Sequence, residues 1–150
     1  MEYKSQRLFR DARIFSIYEG TTQLQVVAAS RYITNGTYLN IIREMEGNEV
    51  SADMQPLKER VAAMTEKYAE VLAEVKAEDN AEKTDFLLRR LYEMTADIIM
   101  SLLILDDASR APELFAKSAN VYVRHAEAEC AAHYAFIKNF KADDLDAYRA

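Results

Sequence analysis

Met54, Leu57, Val61, Met64, Tyr68, Val71 and Val75 recur at alternating steps of three and four. That spacing puts them on one stripe of one helix, and such a stripe packs along another helix at a shallow angle. A second register follows in Leu87, Leu91, Met94, Ile98, Leu102 and Leu105. Its second half is apolar on nearly every side, as expected of a helix central in its bundle. A third line runs through Phe115, Ala119, Tyr122, Ala126, Cys130, His133 and Ile137. A strand would alternate at every second residue instead, and three Gly and two Pro supply little turn material for a sheet. The expected fold class is all-α: long antiparallel helices joined by short loops in an up-and-down bundle.

Boundaries follow from capping chemistry. Glu2 to Arg13 reads as a short helix, and Arg13 to Gly20 as an irregular connection. Thr21 or Thr22 can cap a helix to about Thr34, because a side-chain oxygen there accepts a bond from a backbone N–H of the first turn. Asn35-Gly36 stops that helix, and Thr37 restarts a shorter one through Met45 that ends at Gly47-Asn48. Ser51 reads as the cap of the first seam helix. Glu78 to Glu82 reads as a polar hinge, with Thr84 or Asp85 starting the next helix and Asp106 to Ser109 ending it. Pro112 suits the first turn of the last one. Residues after about Asp143 read as a polar tail that frays.

The chain has 150 residues, enough for a domain with a real core. A formal charge of -6 gives no electrostatic reason to bind nucleic acid or an anionic membrane. The longest apolar run, Ile98 to Leu105, is interrupted by Ser101 and far too short to span a bilayer. No charged and then apolar leader opens the sequence. A single cysteine, Cys130, excludes an internal disulfide and suits a reducing compartment. A cytoplasmic protein is expected.

One stretch carries chemistry: Arg10-Asp11-Ala12-Arg13-Ile14-Phe15-Ser16-Ile17-Tyr18-Glu19-Gly20-Thr21-Thr22-Gln23-Leu24-Gln25. It resembles the segment that bears the catalytic carboxylate in acyl-CoA dehydrogenases. The family pattern runs Arg-Asp-Ala-(Lys/Arg)-Ile, then Ile-Tyr-Glu-Gly-Thr, then a Gln-containing entry into a long helix. The resemblance implies that Glu19 is the general base that removes the α-proton of an acyl-CoA thioester. Its backbone N–H would help bind the thioester oxygen, and Gly20 would let backbone approach the substrate closely. Thr21, Thr22 and Gln23 would contact FAD. Such a base needs close placement, hydrogen bonds to the substrate oxygen and a dry site that raises its pKa. The family often has Ser at the position of Thr22, and Ala-Arg-Glu where this chain has Ser30-Arg31-Tyr32, so no role passes to Tyr32.

In that family the segment lies near the end of a much longer chain, after helical and β-barrel domains that build most of the flavin site. The resemblance therefore implies the C-terminal part of an extended, bacterial-type dehydrogenase. Residues 1–48 would end the C-terminal helical domain and include the catalytic-base loop, and residues 49–150 would form a helical extension. The implied partners are acyl-CoA and an electron-transfer flavoprotein. The isolated chain is expected to be inactive and to hold no FAD. Phe9, Phe15, Ile17 and Tyr18, made to meet other domains, are expected to be exposed, mobile or buried in a neighbouring copy, and to favour a homo-oligomer. The rival reading is a free-standing helical interaction module without catalysis.

Other constellations carry less. His125, Glu129 and His133 repeat every four residues, a spacing that can present metal ligands. A di-iron bundle would need Glu-x-x-His pairs, but Tyr122 and Cys130 stand three before the two histidines. No metal is assigned. Cys130 reads as a buried structural thiol, and the nine tyrosines are too scattered to form a stacking platform.

Overall fold

Three long helices joined by short connections form the body of the molecule. The computed structural model describes residues 4–16 and 21–149. Helix α1 (Lys4–Ala12) runs into a 3-10 turn at Arg13–Ser16. Helices α2 (Thr22–Thr34) and α3 (Thr37–Glu46) follow, and a second 3-10 turn at Ala52–Met54 leads into α4 (Gln55–Ala77). Then come α5 (Ala81–Arg110), α6 (Pro112–Asn139) and a closing 3-10 segment, Ala142–Tyr148. No strand occurs among the described residues. None of the described helices is long and apolar enough to cross a membrane.

Polar contacts at the edges of the bundle give its directions. Arg60 of α4 pairs with Glu127 of α6, and Glu70, further along α4, pairs with Lys138, further along α6. Those two helices are parallel. On α5 the order reverses: Asp97 meets Tyr122, whereas Glu93 meets His133. Helix α5 is therefore antiparallel to α6, and likewise to α4, and it touches α2, α3, α4 and α6. The seams supply the core. Val61, Tyr68 and Val71 enclose Leu91, Met94, Ile98 and Leu105, with Ala119, Val123, Ala126 and Cys130 on the third side. Each large apolar side chain so buried contributes roughly 1.5–3 kcal/mol.

Helices α2 and α3 close one flank and send Ile33 and Ile42 into the same core. The bend between them is built by two residues. Asn35 Oδ1 accepts from the Thr37 backbone N–H (2.9 Å) and from the Thr37 hydroxyl (2.7 Å). Gly36 adopts φ +86°, a left-handed conformation that a side chain would strain.

Several boundaries differ from the sequence reading. Helix α5 starts at Ala81, not at Thr84 or Asp85, because Asn80 is the cap: its Oδ1 accepts from the Lys83 N–H at 3.1 Å. Glu78 stabilises that turn by accepting from the Asn80 N–H and pairing with Lys83 at 2.6 Å. The same helix runs on to Arg110 through Asp106, Asp107 and Ser109. The Ser109 hydroxyl satisfies itself on the Leu105 carbonyl (2.8 Å), so the polar run stays helical. Ser51 makes no side-chain cap. Its N–H donates to Ser109 Oγ at 3.0 Å, and Pro56 instead opens α4.

On α6 the buried line is Ala119, Val123, Ala126, Cys130 and Ile137. Tyr122 and His133 flank it, and Phe115 is exposed. Tyr122 sits at the edge because its hydroxyl needs a polar partner. The tail does not fray either. Asp143, Asp144 and Asp146 face solvent, whereas Leu145 is buried and Tyr148 reaches the ring of Phe86, 4.9 Å between centroids. Those two residues are three apart, which is the repeat of a 3-10 helix.

The N-terminal side chains are open as expected: Phe9 is 75% exposed and Phe15 81%. Ile17 and Tyr18 lie outside the described residues.

Candidate functional site

The candidate site is the N-terminal end of α2. Thr21 is extended and caps the helix: its Oγ1 accepts from the Leu24 N–H at 3.4 Å. Its carbonyl accepts from the Gln25 N–H at 3.1 Å. Thr22 and Gln23 are the first two helical residues, and both are exposed. The first N–H groups of a helix point out along its axis and carry partial positive charge. Together with a threonine hydroxyl and a glutamine amide they form a donor-rich edge. This donor set fits the acceptor edge and phosphates of a flavin nucleotide, so Thr21, Thr22 and Gln23 suit the role that the resemblance gives them. Glu19 and Gly20 lie outside the described residues.

The direction of that helix end is set by its buried face. Val26, Ala29 and Ile33 repeat at three and four along α2 and are all buried. Beside this face is a cleft of about 230 Å³, lined by Gln25, Ala28, Ala29, Tyr32, Tyr38 and Tyr92. The rings of Tyr32 and Tyr38 meet edge-on, 6.2 Å between centroids. Tyr92 comes from α5, more than fifty residues away in sequence from α2. The sequence reading treated the tyrosines as scattered and missed this grouping. No local pattern could have shown it, because the three rings come from three helices.

A second polar cluster lies between α5 and α6. Tyr122 donates to Asp97 Oδ1 at 3.2 Å. Burial pushes the Asp97 carboxyl above its usual range, and the Tyr122 hydrogen bond partly offsets this. Burial, reinforced by Asp97, pushes the Tyr122 phenol up to about 12. Nearby, Glu93 binds both His133 (3.2 Å) and Arg89 (2.6 Å). Among the described residues no group of three or more His, Cys, Asp or Glu could hold a metal ion. Cys130 is enclosed, and burial pushes its thiol up to about 12, which is the opposite of what a nucleophile needs.

Residues 34–145 match the family model described as acyl-CoA dehydrogenase C terminal. The chain belongs to the acyl-CoA dehydrogenase family. The crystal structure of the acyl-CoA dehydrogenase family protein from Porphyromonas gingivalis superposes on it with a TM-score of 0.71 at 37% identity. The superposition covers 76% of this chain and 98% of that one. No curated protein matches the chain. The family match begins at residue 34, beyond the Arg10 to Gln25 run. The family assignment and the motif resemblance therefore rest on different residues. The matched region also joins α3 to α4, α5 and α6, the helices with which it shares a core.

Proposed function

We propose that this chain is the C-terminal part of a flavin-dependent acyl-CoA dehydrogenase that oxidises acyl-CoA to 2-enoyl-CoA. The observation that carries the reading is the Arg10 to Gln25 run, which leads directly into the capped helix α2 of a chain that belongs to this family. Residues 1–48 end the C-terminal helical domain with the catalytic-base loop, and residues 49–150 are the extension.

Glu19 takes the α-proton, and the electron pair released forms the new carbon–carbon double bond as the β-hydrogen leaves as hydride. FAD supplies the hydride acceptor. The backbone N–H of Glu19 stabilises charge on the thioester oxygen, and Gly20 leaves room for the substrate. Thr21, Thr22 and Gln23 hold the flavin edge from the helix end. An electron-transfer flavoprotein then reoxidises the enzyme, in the cytoplasm. The isolated chain neither turns over nor retains FAD, because one helix end supplies too few of the contacts that a cofactor site needs.

The test uses the intact protein. Glu19→Gln keeps the shape and removes the base, and a positioned base is worth about two to four orders of magnitude in rate. Flavin reduction by acyl-CoA falls by that amount while bound FAD stays near wild type. Undiminished reduction would overturn the assignment of Glu19, whereas a wild-type protein whose flavin acyl-CoA does not reduce would favour a helical module without catalysis.

A further inference from the structure

Helix α6 packs on α4 and α5, and α2 and α3 close the far flank of α5. Among the described residues no helix covers the groove that α5 and α6 form on the other side. It is an open cleft of about 470 Å³ that includes Ile104, Ser118, Val121 and Tyr122. Its α6 rim is apolar: Leu114 is 67% exposed and Val121 70%. Seven residues separate those two, nearly two turns, so they share a stripe with Ser118 between them. Met100, also exposed, stands one turn before Ile104 on α5. Apolar side chains grouped in this way on a surface mark an interaction site.

The charges beside the stripe say what covers it. Glu113 and Arg124 are eleven residues apart, about three turns, and so lie on one edge of α6. Both are exposed, and among the described residues neither forms an ion pair. A two-fold axis at Ser118 sets two copies of α6 antiparallel, with residues about equally far from Ser118 opposite one another. Leu114 and Val121 stand four before and three after it, so each meets the other in the second copy. Glu113 and Arg124 stand five before and six after, so two ion pairs form. Lys117 approaches its own copy, a repulsion that its long side chain relieves by reaching into water. We propose that this face of α6 binds a second copy of the chain about a two-fold axis at Ser118. The inference goes beyond the flavin reading and does not depend on it. From Glu113 to Arg124 is about 17 Å of helix, and two helices are about 20 Å wide. That area is at the small end of specific interfaces, so the dimer is a weak one.

The experiment uses the 150-residue chain, whose bundle encloses its own core. Sedimentation shows a monomer–dimer equilibrium between about 1 and 100 μM. Glu113→Arg and Arg124→Glu each weaken it about tenfold, because each sets like charges together twice. The two changes combined restore it to within about twofold. Oxidised Ser118→Cys forms a disulfide-linked dimer faster than Asp143→Cys does, since the axis brings residue 118 against itself. Cys130, the one native cysteine, is enclosed and does not compete. Glu113, Ser118, Arg124 and Asp143 are all exposed, so the variants fold. A chain that stays monomeric throughout would overturn the proposal. So would a dimer that tolerates both single reversals, which would place the contact elsewhere, as at Phe9 and Phe15. If Ser118→Cys reacts with a thiol reagent in this chain but not in a monomeric intact protein, another part of the longer chain covers the face and the proposal fails.

Discussion

The Tyr122 hydroxyl donates to the Asp97 carboxylate at 3.2 Å, across the interface of α5 and α6. A half-buried carboxylate at a helix–helix contact is held there by a neutral donor, with His125 and His133 close enough to favour its charge and Glu129 opposing it. Burial wins, and the Asp97 carboxyl titrates above its ordinary range.

The sign of the consequence is fixed. An acid with a raised pKa in the folded state binds its proton more tightly there than in the unfolded chain. The penalty is absent below the unfolded value, about 3.9 for Asp, and complete above the folded one. Asp97→Asn keeps an oxygen to accept from Tyr122 and buries no charge. It raises the melting temperature near neutral pH, and the gain disappears as pH falls below the ordinary Asp range. Thermal melts of both chains against pH check this. A variant less stable than wild type at neutral pH overturns it.

Cys130 is enclosed by the bundle, and its thiol is pushed up to about 12. At pH 8 only about one part in ten thousand is thiolate, the form that reacts. A thiol reagent leaves the native protein unlabelled over hours and labels it at once in denaturant. With urea added in steps, labelling follows the loss of helical circular dichroism. Rapid labelling without denaturant would show that α6 opens locally.

The seams of α4 and α5 were legible because burial repeats every three or four residues over many turns, and the seam residues Met54, Leu57, Val61, Met64, Tyr68, Val71 and Val75 are all buried as that repeat requires. The bend at Asn35-Gly36 was legible from backbone chemistry. Helix ends among charged residues were not. Asn80 caps α5 from within a polar run, and Ser109 stays helical because its hydroxyl finds the Leu105 carbonyl. Both partners lie within four residues, but Asn80, Thr84 and Asp85 are rival capping side chains in one polar run, and Asp106 to Ser109 can end a helix as readily as continue it. In the site, Thr21 was readable as a cap, since that contact spans three residues. The Tyr32, Tyr38 and Tyr92 cleft was not, since it joins three helices.

Gly36 offers a test of the bend. No atom lies within 4 Å of the position its Cβ would take, so Gly36→Ala meets no steric neighbour. The cost is conformational alone, about 1–2 kcal/mol for an L-residue held at this positive φ. Gly36→Asn costs less, because Asn tolerates the left-handed region. Equilibrium urea unfolding gives the order Gly, Asn, Ala from most to least stable. Equal stability of Gly and Ala would mean that the turn relaxes to another conformation.

The closing segment is a test of packing against composition. Ala142–Tyr148 looks polar, yet Leu145 is 4% exposed and joins the main core. Tyr148 packs its ring at a tilt against Phe86 and Phe140, and Arg149 ties the segment to Glu82 at 2.6 Å. That ion pair is exposed and adds little. The apolar contacts hold the segment down. Leu145→Ala therefore removes about 2–5 kcal/mol, the usual cost of truncating a buried leucine. Asp143→Ala, on the solvent face, stays within about 0.5 kcal/mol. The two variants differ by two positions in sequence, so unequal effects separate a docked segment from a loose one. Hydrogen exchange gives the matching local readout. Leu145→Ala loses protection first in residues 140–149 and in the facing start of α5, while Asp143→Ala leaves both protected. If Leu145→Ala unfolds at the same urea concentration as wild type, the segment is not docked in solution.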